Sequence, residues 1–180
     1  MYKEDCLSAI EAIDLDKVGA AIEVFREARE NNRHIFVCGN GGSASTASHF
    51  VCDMVKGASF NRGSRFRIMA LTDSLPTITA YSNDVSYDAI FVEQLKNFAK
   101  PDDVVMGISG SGNSPNVLRA LEYANSIGCK TVALTGRDGG KLGPLAHLNI
   151  HVANPHMGRI EDAHMIICHM ICYFFMDTEK

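Results

Sequence analysis

The sequence lacks a long apolar run, and it also lacks a strong excess of either charge. No apolar segment approaches the length of a membrane-spanning helix, and the first residues, Met1–Asp5, are polar and acidic. We therefore expect a cytoplasmic protein with no membrane partner. Lys and Arg total 17 against 21 for Asp and Glu, a net charge of −4, so no general attraction to nucleic acid is expected. Any anionic ligand must be bound locally.

The cysteines lack the spacing of a redox pair or of a secreted disulfide framework. No Cys-x-x-Cys pair occurs, and most of the six cysteines lie within apolar runs. Buried, reduced thiols are therefore the expectation. The six are Cys6, Cys38, Cys52, Cys129, Cys168 and Cys172.

The chain contains a regular alternation of strand-like and helical segments. Residues 1–32 are predicted to form an N-terminal helical segment, because apolar residues recur there at helical spacing until Asn31 and Asn32. The alternation that follows predicts an α/β fold, a three-layer αβα sandwich around a five-stranded parallel sheet. With 46% hydrophobic residues and no repeat or linker, the 180 residues are expected to form one domain. The predicted strands are His34–Cys38, Arg67–Leu71, Asp103–Ile108, Thr131–Leu134 and Leu148–Val152, and the last helix is Arg159–Met176.

The stretch Gly107–Ser114 places glycines and hydroxyls between a strand-like and a helix-like segment. Pro115 suits the first turn of the helix that follows. Three hydroxyls, on Ser109, Ser111 and Ser114, combine with backbone N–H groups at the positive end of that helix. We predict that this serine loop binds a phosphate monoester; the alternative is a loop that only turns the chain.

The serine loop lacks the signatures of nucleotide sites. No Lys-Ser or Lys-Thr pair follows it, as a P-loop requires, and Gly110 and Gly112 are not followed by a glycine three residues on. The expected ligand is therefore a small phosphorylated metabolite.

A second loop, Cys38–Ser43, reads Cys-Gly-Asn-Gly-Gly-Ser and also joins a strand to a helix. With the serine loop it resembles the sugar isomerase (SIS) domain family, and within it the phosphoheptose isomerases. The resemblance implies the flavodoxin-like SIS fold, one SIS domain over residues 1–180, and conversion of sedoheptulose 7-phosphate to D-glycero-D-manno-heptose 7-phosphate through an enediol. Further residues that carry it are Asn83-Asp84, Leu134–Lys141, Arg159-Ile160, His164 and His169.

The resemblance implies contacts to both ends of such a substrate. The serine loop would hold the phosphate, and the other positions would contact the sugar chain. The implied substrate-binding residues are Asn40, Gly41, Gly42, Ser43, Asn83, Asp84, Ser109, Gly110, Ser111, Ser114 and Glu161.

The resemblance also implies one divalent metal ion, expected to be zinc. Its ligands would be His49 and Asp53 on the helix after the first loop, with Glu161 and His169 on the last helix. Positions i and i+4 share a helical face, and i+8 returns close to it, so the spacings suit a shared shell of two imidazoles and two carboxylates. Each histidine taken alone is more often a packed residue than a ligand, and its pairing with an acidic residue at helical spacing is what favours the ligand role.

Isomerisation moves a proton between C1 and C2, which needs a base, an acid and a group that stabilises the developing oxyanion. Asp53 is our hypothesis for the general base and His169 for its acid/base partner, with the metal polarising the substrate oxygens.

Four positions depart from the family pattern. The family's isomerases usually carry Glu where this chain has Asp53 and Gln where it has Glu161. An arginine and an acidic residue are replaced by Gly57 and Gly158. A related isomerase of another sugar phosphate is therefore an open alternative, as is a noncatalytic phosphosugar-binding or scaffold protein. An aminosugar-related enzyme is disfavoured, because no glutaminase-like nucleophile precedes the domain.

The last helix is apolar around most of its circumference, more than one sheet face would bury. A homo-oligomer is expected on this ground, and the resemblance implies a homotetramer.

Overall fold

The computed structural model describes residues 1–178 and arranges five strands in one parallel sheet. The strand order is β2-β1-β3-β4-β5, and all four pairings are parallel. The predicted α/β architecture is confirmed, and each predicted strand is found within two residues of its expected bounds. The strands are β1 (His34–Gly39), β2 (Arg67–Ala70), β3 (Val104–Ser109), β4 (Lys130–Gly136) and β5 (Leu148–Val152).

Helices connect the strands and cover both faces of the sheet. The turn Asp53–Gly57 is π-helical and directly continues the third α-helix, and Tyr87–Ala89 forms a short 3₁₀ turn. The short helix at Leu142–Leu145 was not expected from the sequence. The α-helices are α1 (Tyr2–Glu11), α2 (Leu15–Glu30), α3 (Gly42–Cys52), α4 (Leu75–Asp84), α5 (Val92–Phe98), α6 (Pro115–Ser126), α7 (Leu142–Leu145) and α8 (Met157–Thr178).

Alternate residues of the central strands enter two separate cores. In β1, Ile35 and Val37 pack into the core beneath α1, α2, α3 and α8, whereas Phe36 and Cys38 pack into the core beneath α5, α6 and α7. Strands buried on both faces are typical of parallel sheets between two helical layers. Fully buried Phe25 anchors the first core, and its truncation to alanine should cost about 3–5 kcal/mol.

The N-terminal segment forms two helices that pack onto the domain. The side chain of Asp14 caps α2 by accepting a hydrogen bond from the Lys17 backbone N–H at 3.1 Å. Helix α1 lies along α8, where the Tyr2 hydroxyl donates to Asp162 at 2.7 Å. Much of the apolar circumference of α8 is therefore covered within one chain, by α1, α2, α3 and the sheet.

All six cysteines are free thiols, and four of them, Cys38, Cys129, Cys168 and Cys172, are buried as expected. The expectation does not hold for Cys52, which is exposed near the end of α3. Among residues 1–178, no helix has both the length and the apolar character needed to cross a membrane.

Candidate functional site: a serine-lined cavity and a His-Asp-His group

Strands β1 and β3 are neighbours in the sheet, and the chain leaves them toward opposite edges. Such a switch point creates a crevice at the carboxyl ends of the two strands. A cavity of about 250 Å³ opens there, between the loop after β1 and the serine loop after β3. Its lining residues are Asn40, Gly41, Gly42, Ser43, Ile108, Ser109, Gly110, Ser111, Ser114, Met157 and Glu161.

Three serine hydroxyls converge at the inner end of this cavity. Ser109 Oγ lies 3.0 Å from Ser114 Oγ and 3.4 Å from Ser111 Oγ. Ser109 is 3% exposed, so the group is set into the sheet edge rather than on the surface. Hydroxyls rotate to donate or accept, which suits them to several phosphate oxygens at once. The structure thus brings together the three serines that the sequence singled out.

Backbone packing against a neighbouring loop holds the serine loop in shape. Gly112 has φ of +63°, and a β-carbon there would overlap the carbonyl of Gly139. The Leu142 backbone N–H donates to the Gly112 carbonyl at 2.9 Å, and the Lys141 N–H donates to Asn113 Oδ1 at 3.1 Å. This contact gives the Leu134–Lys141 motif its structural role.

An amide pair that the sequence analysis did not single out joins the two loops. Asn40 Nδ2 donates to Asn116 Oδ1 at 2.8 Å, and Asn116 Nδ2 donates to Asn40 Oδ1 at 2.9 Å. The Tyr87 hydroxyl donates to the same Asn40 oxygen at 2.9 Å. Asn116 directly follows the serine loop and Pro115, but its burial, 1% exposed, has no sequence signature.

Helix α8 supplies Met157 and Glu161 to the lining of the cavity. Gly42, the first residue of α3, lies so close to Glu161 that a β-carbon would sit 2.5 Å from Oε1. A β-carbon on Gly110 would likewise sit 2.5 Å from Met157 Sδ. Both glycines therefore permit α8 to close one side of the cavity.

Asn83 and Asp84 are not among the residues that line the serine cavity. They end α4, where Asn83 Nδ2 donates to Asp84 Oδ1 at 2.7 Å. Asp84 lines a different cavity, with Tyr81 and Val85 among its neighbours. Within one chain, the structure does not bring this expected pair of sugar contacts together with the serines.

His49, Asp53 and His169 meet on the same side of the sheet. His49 Nε2 lies 3.0 Å from His169 Nε2 and 3.3 Å from Asp53 Oδ2, and His169 Nε2 lies 3.7 Å from Asp53 Oδ2. All three side chains are partly exposed, and their ligand atoms lie within 4.8 Å of one another. Asp53 begins the π-helical turn, a local distortion often found at functional sites.

The donor set and its spacing fit a divalent metal ion. Neighbouring ligand atoms of a tetrahedral zinc ion, bonded at about 2.0–2.1 Å, lie about 3.4 Å apart, which is close to the three separations here. Two imidazoles with one carboxylate leave a fourth position for water or substrate, as in catalytic rather than structural zinc sites. Burial raises the pKa of the Cys172 thiol to about 12, with Asp53 adding to the shift, so without a metal ion this sulfur is protonated.

Glu161 is separate from this group among the described residues. It precedes His169 by two helical turns, so although the two share a face, the helical rise places them about 12 Å apart along the axis. Positions i and i+8 are therefore close in angle around the helix but well separated along it. The carboxylate of Glu161 instead lies in the serine cavity, as an expected substrate contact would.

His164 faces the sheet rather than the His-Asp-His group. It is 1% exposed, and Nε2 donates to the Thr135 carbonyl at 3.1 Å. Burial lowers its pKa to about 4, so it is a neutral core histidine.

Comparisons with known proteins agree with this geometry. A family model described as SIS domain matches residues 2–136. A probable phosphoheptose isomerase of Thermoplasma volcanium is 43% identical over 175 residues, covering 95% of this chain and 87% of the relative. The phosphoheptose isomerase of Helicobacter pylori is 36% identical over 171 residues, covering 95% and 88%. This chain belongs to the phosphoheptose isomerase family of SIS-domain proteins.

Solved structures of phosphoheptose isomerases share the whole fold. The enzyme of Neisseria gonorrhoeae superposes with a TM-score of 0.89 at 32% identity, covering 97% of this chain and 94% of the other. That of Francisella tularensis has a TM-score of 0.90 at 30% identity, with the same coverage. The N-terminal helices and α8 are therefore part of the phosphoheptose isomerase architecture.

Proposed function

We propose that this protein interconverts sedoheptulose 7-phosphate and D-glycero-D-manno-heptose 7-phosphate. The names of its relatives support this reaction, and one observation carries it to this chain. Helices α3 and α8 run in the same direction side by side, with Gly42 against Glu161 in the serine cavity and His49 against His169 about two turns further on. The same two helices thus hold an anion site and a proton-transfer site.

The separation of these sites suits a long sugar phosphate. Two helical turns correspond to about 10–12 Å. An extended seven-carbon chain with phosphate on its last carbon spans a comparable length, so its C1–C2 end reaches the His-Asp-His group when the phosphate lies among the serines. A shorter ketose phosphate would leave one of the two sites unused.

The side chains of the group supply an acid and a base. Asp53 Oδ2 faces both imidazoles, which leaves Oδ1 to take the proton from C1 or C2. His169 lies beside Asp53 and His49, where it is the residue proposed to exchange a proton with the substrate oxygen. Phosphate binding at the distant end fixes the reacting carbons between these groups.

We propose zinc as the metal ion, held by His49, Asp53 and His169. Glu161 would join these ligands only if the N-terminal part of α8, which lines the serine cavity, moved toward them. The ion would polarise the carbonyl and hydroxyl oxygens at C1 and C2. Two histidines and a carboxylate favour zinc over the harder ions that prefer all-oxygen shells.

We further propose a cytoplasmic homotetramer without nucleic-acid or membrane partners. Six free thiols suit a reducing compartment. Exposed apolar side chains such as Val55, Phe60 and Tyr173 offer surface for subunit contacts. Light scattering after size exclusion tests the stoichiometry. In such a tetramer, Asn83 and Asp84 of one subunit would contact the sugar chain bound in the cavity of another.

The deciding experiment combines metal analysis of the purified protein with an isomerase assay. We expect about one zinc per chain and turnover of sedoheptulose 7-phosphate that exceeds turnover of five- and six-carbon ketose phosphates. Faster turnover of a shorter sugar would replace the substrate assignment with a related isomerase. Stabilisation by the sugar phosphate without turnover or bound metal would favour a noncatalytic phosphosugar-binding protein.

A further inference from the structure

The polarity of the Asn40–Asn116 amide pair is set by a backbone group. The Val117 N–H, which can only donate, lies 3.0 Å from Asn116 Oδ1. The atom of the Asn116 amide next to the Val117 N–H must therefore be the oxygen, so the other atom of the amide, which faces Asn40 Oδ1, is the nitrogen Nδ2. Asn40 Oδ1 accepts from Asn116 Nδ2 at 2.9 Å, and Asn40 Nδ2 donates to Asn116 Oδ1 at 2.8 Å.

Tyr87 adds a second constraint on the same amide. Its hydroxyl reaches Asn40 Oδ1 at 2.9 Å, so this oxygen already accepts from both Asn116 and Tyr87. A carbonyl oxygen has two lone pairs, and both are now used. The nitrogen carries two hydrogens, of which one is bonded to Asn116. Asn40 lines the serine cavity, where its remaining N–H is the polar group it can offer.

We infer that Asn116 and Tyr87 are positioning residues that hold Asn40 as a hydrogen-bond donor to an oxygen of the sugar chain. The inference rests on the proposed sugar-phosphate substrate. Asn40 itself would touch the substrate, whereas Asn116, 1% exposed and behind it, would act through it.

The arrangement also ties three separate segments to one amide. Asn40 follows β1, Asn116 belongs to the first turn of α6, and Tyr87 belongs to the 3₁₀ turn before α5. The N–H donor of Asn40 is thereby kept at a fixed distance from the serines proposed to bind phosphate, because Asn116 is only two residues after Ser114 in the chain. A preorganised donor of this kind strengthens binding without ordering costs at the moment of reaction.

A double-mutant cycle in kcat/KM tests the positioning role. Asn40→Ala and Asn116→Ala should each lower kcat/KM for sedoheptulose 7-phosphate by about tenfold, the effect of losing a neutral hydrogen bond and its orientation. Once Asn40 is alanine, Asn116→Ala should change kcat/KM by less than about twofold, because its effect runs through the missing amide. Asn97→Ala, which removes an exposed amide on α5, is the matched control and should leave kcat/KM unchanged.

Two shape-preserving variants separate polarity from packing. Asn116→Asp keeps the acceptor for Val117 but cannot donate to Asn40, so it should reduce kcat/KM at least as much as alanine; circular dichroism checks that the variant is folded, because a buried carboxylate facing the Asn40 oxygen lowers stability. Tyr87→Phe removes one donor and should lower kcat/KM by a few fold. Tyr123→Phe on α6 serves as its control. Additive losses in the cycle, or an Asn116→Asp variant with wild-type kcat/KM, would overturn the inference.

The readouts distinguish this inference from the proposed function. If the wild-type protein turns over the sugar phosphate and the cycle is additive, only the positioning role fails. If the wild-type protein has no turnover, the proposed reaction fails, and the same cycle is measured on the dissociation constant of sedoheptulose 7-phosphate by calorimetry. Coupling between positions 40 and 116 then still supports the inference, and additive losses or unchanged affinity in all variants still overturn it.

Discussion

Gly42 and Glu161 are in direct contact, with room for no side chain at position 42: a β-carbon there would lie 2.5 Å from the Glu161 carboxylate oxygen Oε1. The same pair of helices meets again at His49 and His169, whose Nε2 atoms are 3.0 Å apart. The π-helical turn that continues α3 also contacts α8, where Gly57 packs against Met176. The packing of α3 on α8 therefore positions both the serine cavity and the His-Asp-His group.

Replacing Gly42 by alanine should disturb both sites. The added methyl group must push Glu161 into the cavity or move α3 away from α8, so we expect KM for the sugar phosphate to rise about tenfold or more. Movement of α3 would lower metal affinity as well, because His49 lies on the same helix. Kinetics and zinc titration of the purified variant measure the two effects.

Gly19→Ala is the matched control for this change. Gly19 lies inside α2 with nothing within 4 Å of a built β-carbon. Alanine there should raise the free energy of unfolding by about 0.5–1 kcal/mol through helix propensity and leave KM and zinc affinity unchanged. A Gly42→Ala variant that behaved like Gly19→Ala would contradict the proposed coupling.

Removing any of His49, Asp53 or His169 should remove the metal ion. Each is one of the three proposed protein ligands, so alanine variants should retain less than a tenth of the bound zinc after dialysis against a weak chelator. Mass spectrometry of metal content gives the measurement directly. Asp53→Asn, which keeps the shape and loses the charge, should also bind less zinc than wild type.

Glu161→Ala and His156→Ala provide the comparison. His156 is exposed and lies outside the group, so its loss should not affect zinc content. Glu161→Ala should keep most of the zinc but lose sugar-phosphate affinity, since its carboxylate lies in the serine cavity. If Glu161→Ala emptied the site as fully as His169→Ala did, the four-ligand shell implied by the family resemblance would be restored.

Much of this architecture could be predicted from the sequence, because its signals are local. The strands are continuous apolar runs, and the serine loop is recognisable from the glycines and hydroxyls between a strand and a helix. Asn116 gave no such signal, since one asparagine beside a proline is ordinary and its partner Asn40 is distant in the chain. The distance between Glu161 and His169 also gave no sequence signal, because helical periodicity sets the angle around a helix but not the distance along it.

Gly112→Ala should abolish phosphate binding by deforming the serine loop. Two effects combine there: a φ of +63°, which L-residues adopt at a cost of about 1–2 kcal/mol, and overlap of the new β-carbon with the Gly139 carbonyl. We expect no measurable affinity for inorganic phosphate by calorimetry. Gly128→Ala isolates the first effect, because Gly128 has φ of +84° and its nearest neighbour would be Pro101 at 3.9 Å. That variant should be less stable than wild type and bind phosphate normally.

Ser111→Ala should weaken substrate binding with little change in kcat. The Ser111 hydroxyl belongs to the convergent group, 3.4 Å from Ser109 Oγ, and is remote from the proton-transfer groups. Loss of one hydrogen bond to a charged phosphate corresponds to roughly a tenfold rise in KM. Ser126→Ala, on the far end of α6, is the control. An unchanged KM for Ser111→Ala would remove this loop from the binding site.

Buried His164 should make the protein lose stability in mild acid. Its pKa is lowered from 6.5 to about 4, so between these two values His164 is protonated in the unfolded chain and neutral in the folded chain. The contribution is present above the unfolded value and declines as the pH falls toward 4, by up to about 3 kcal/mol. Urea unfolding at a series of pH values, with a chelator present to exclude metal competition, follows this loss.

His164→Gln identifies the residue responsible. The glutamine amide can still donate to the Thr135 carbonyl but has no titrating group, so its free energy of unfolding should change less between pH 6.5 and 4 than that of wild type. The exposed His156→Gln variant should keep the wild-type slope. Equal slopes for wild type and His164→Gln would mean that His164 gains access to water and protons without unfolding, and that its unbonded Nδ1 is not sealed in the core.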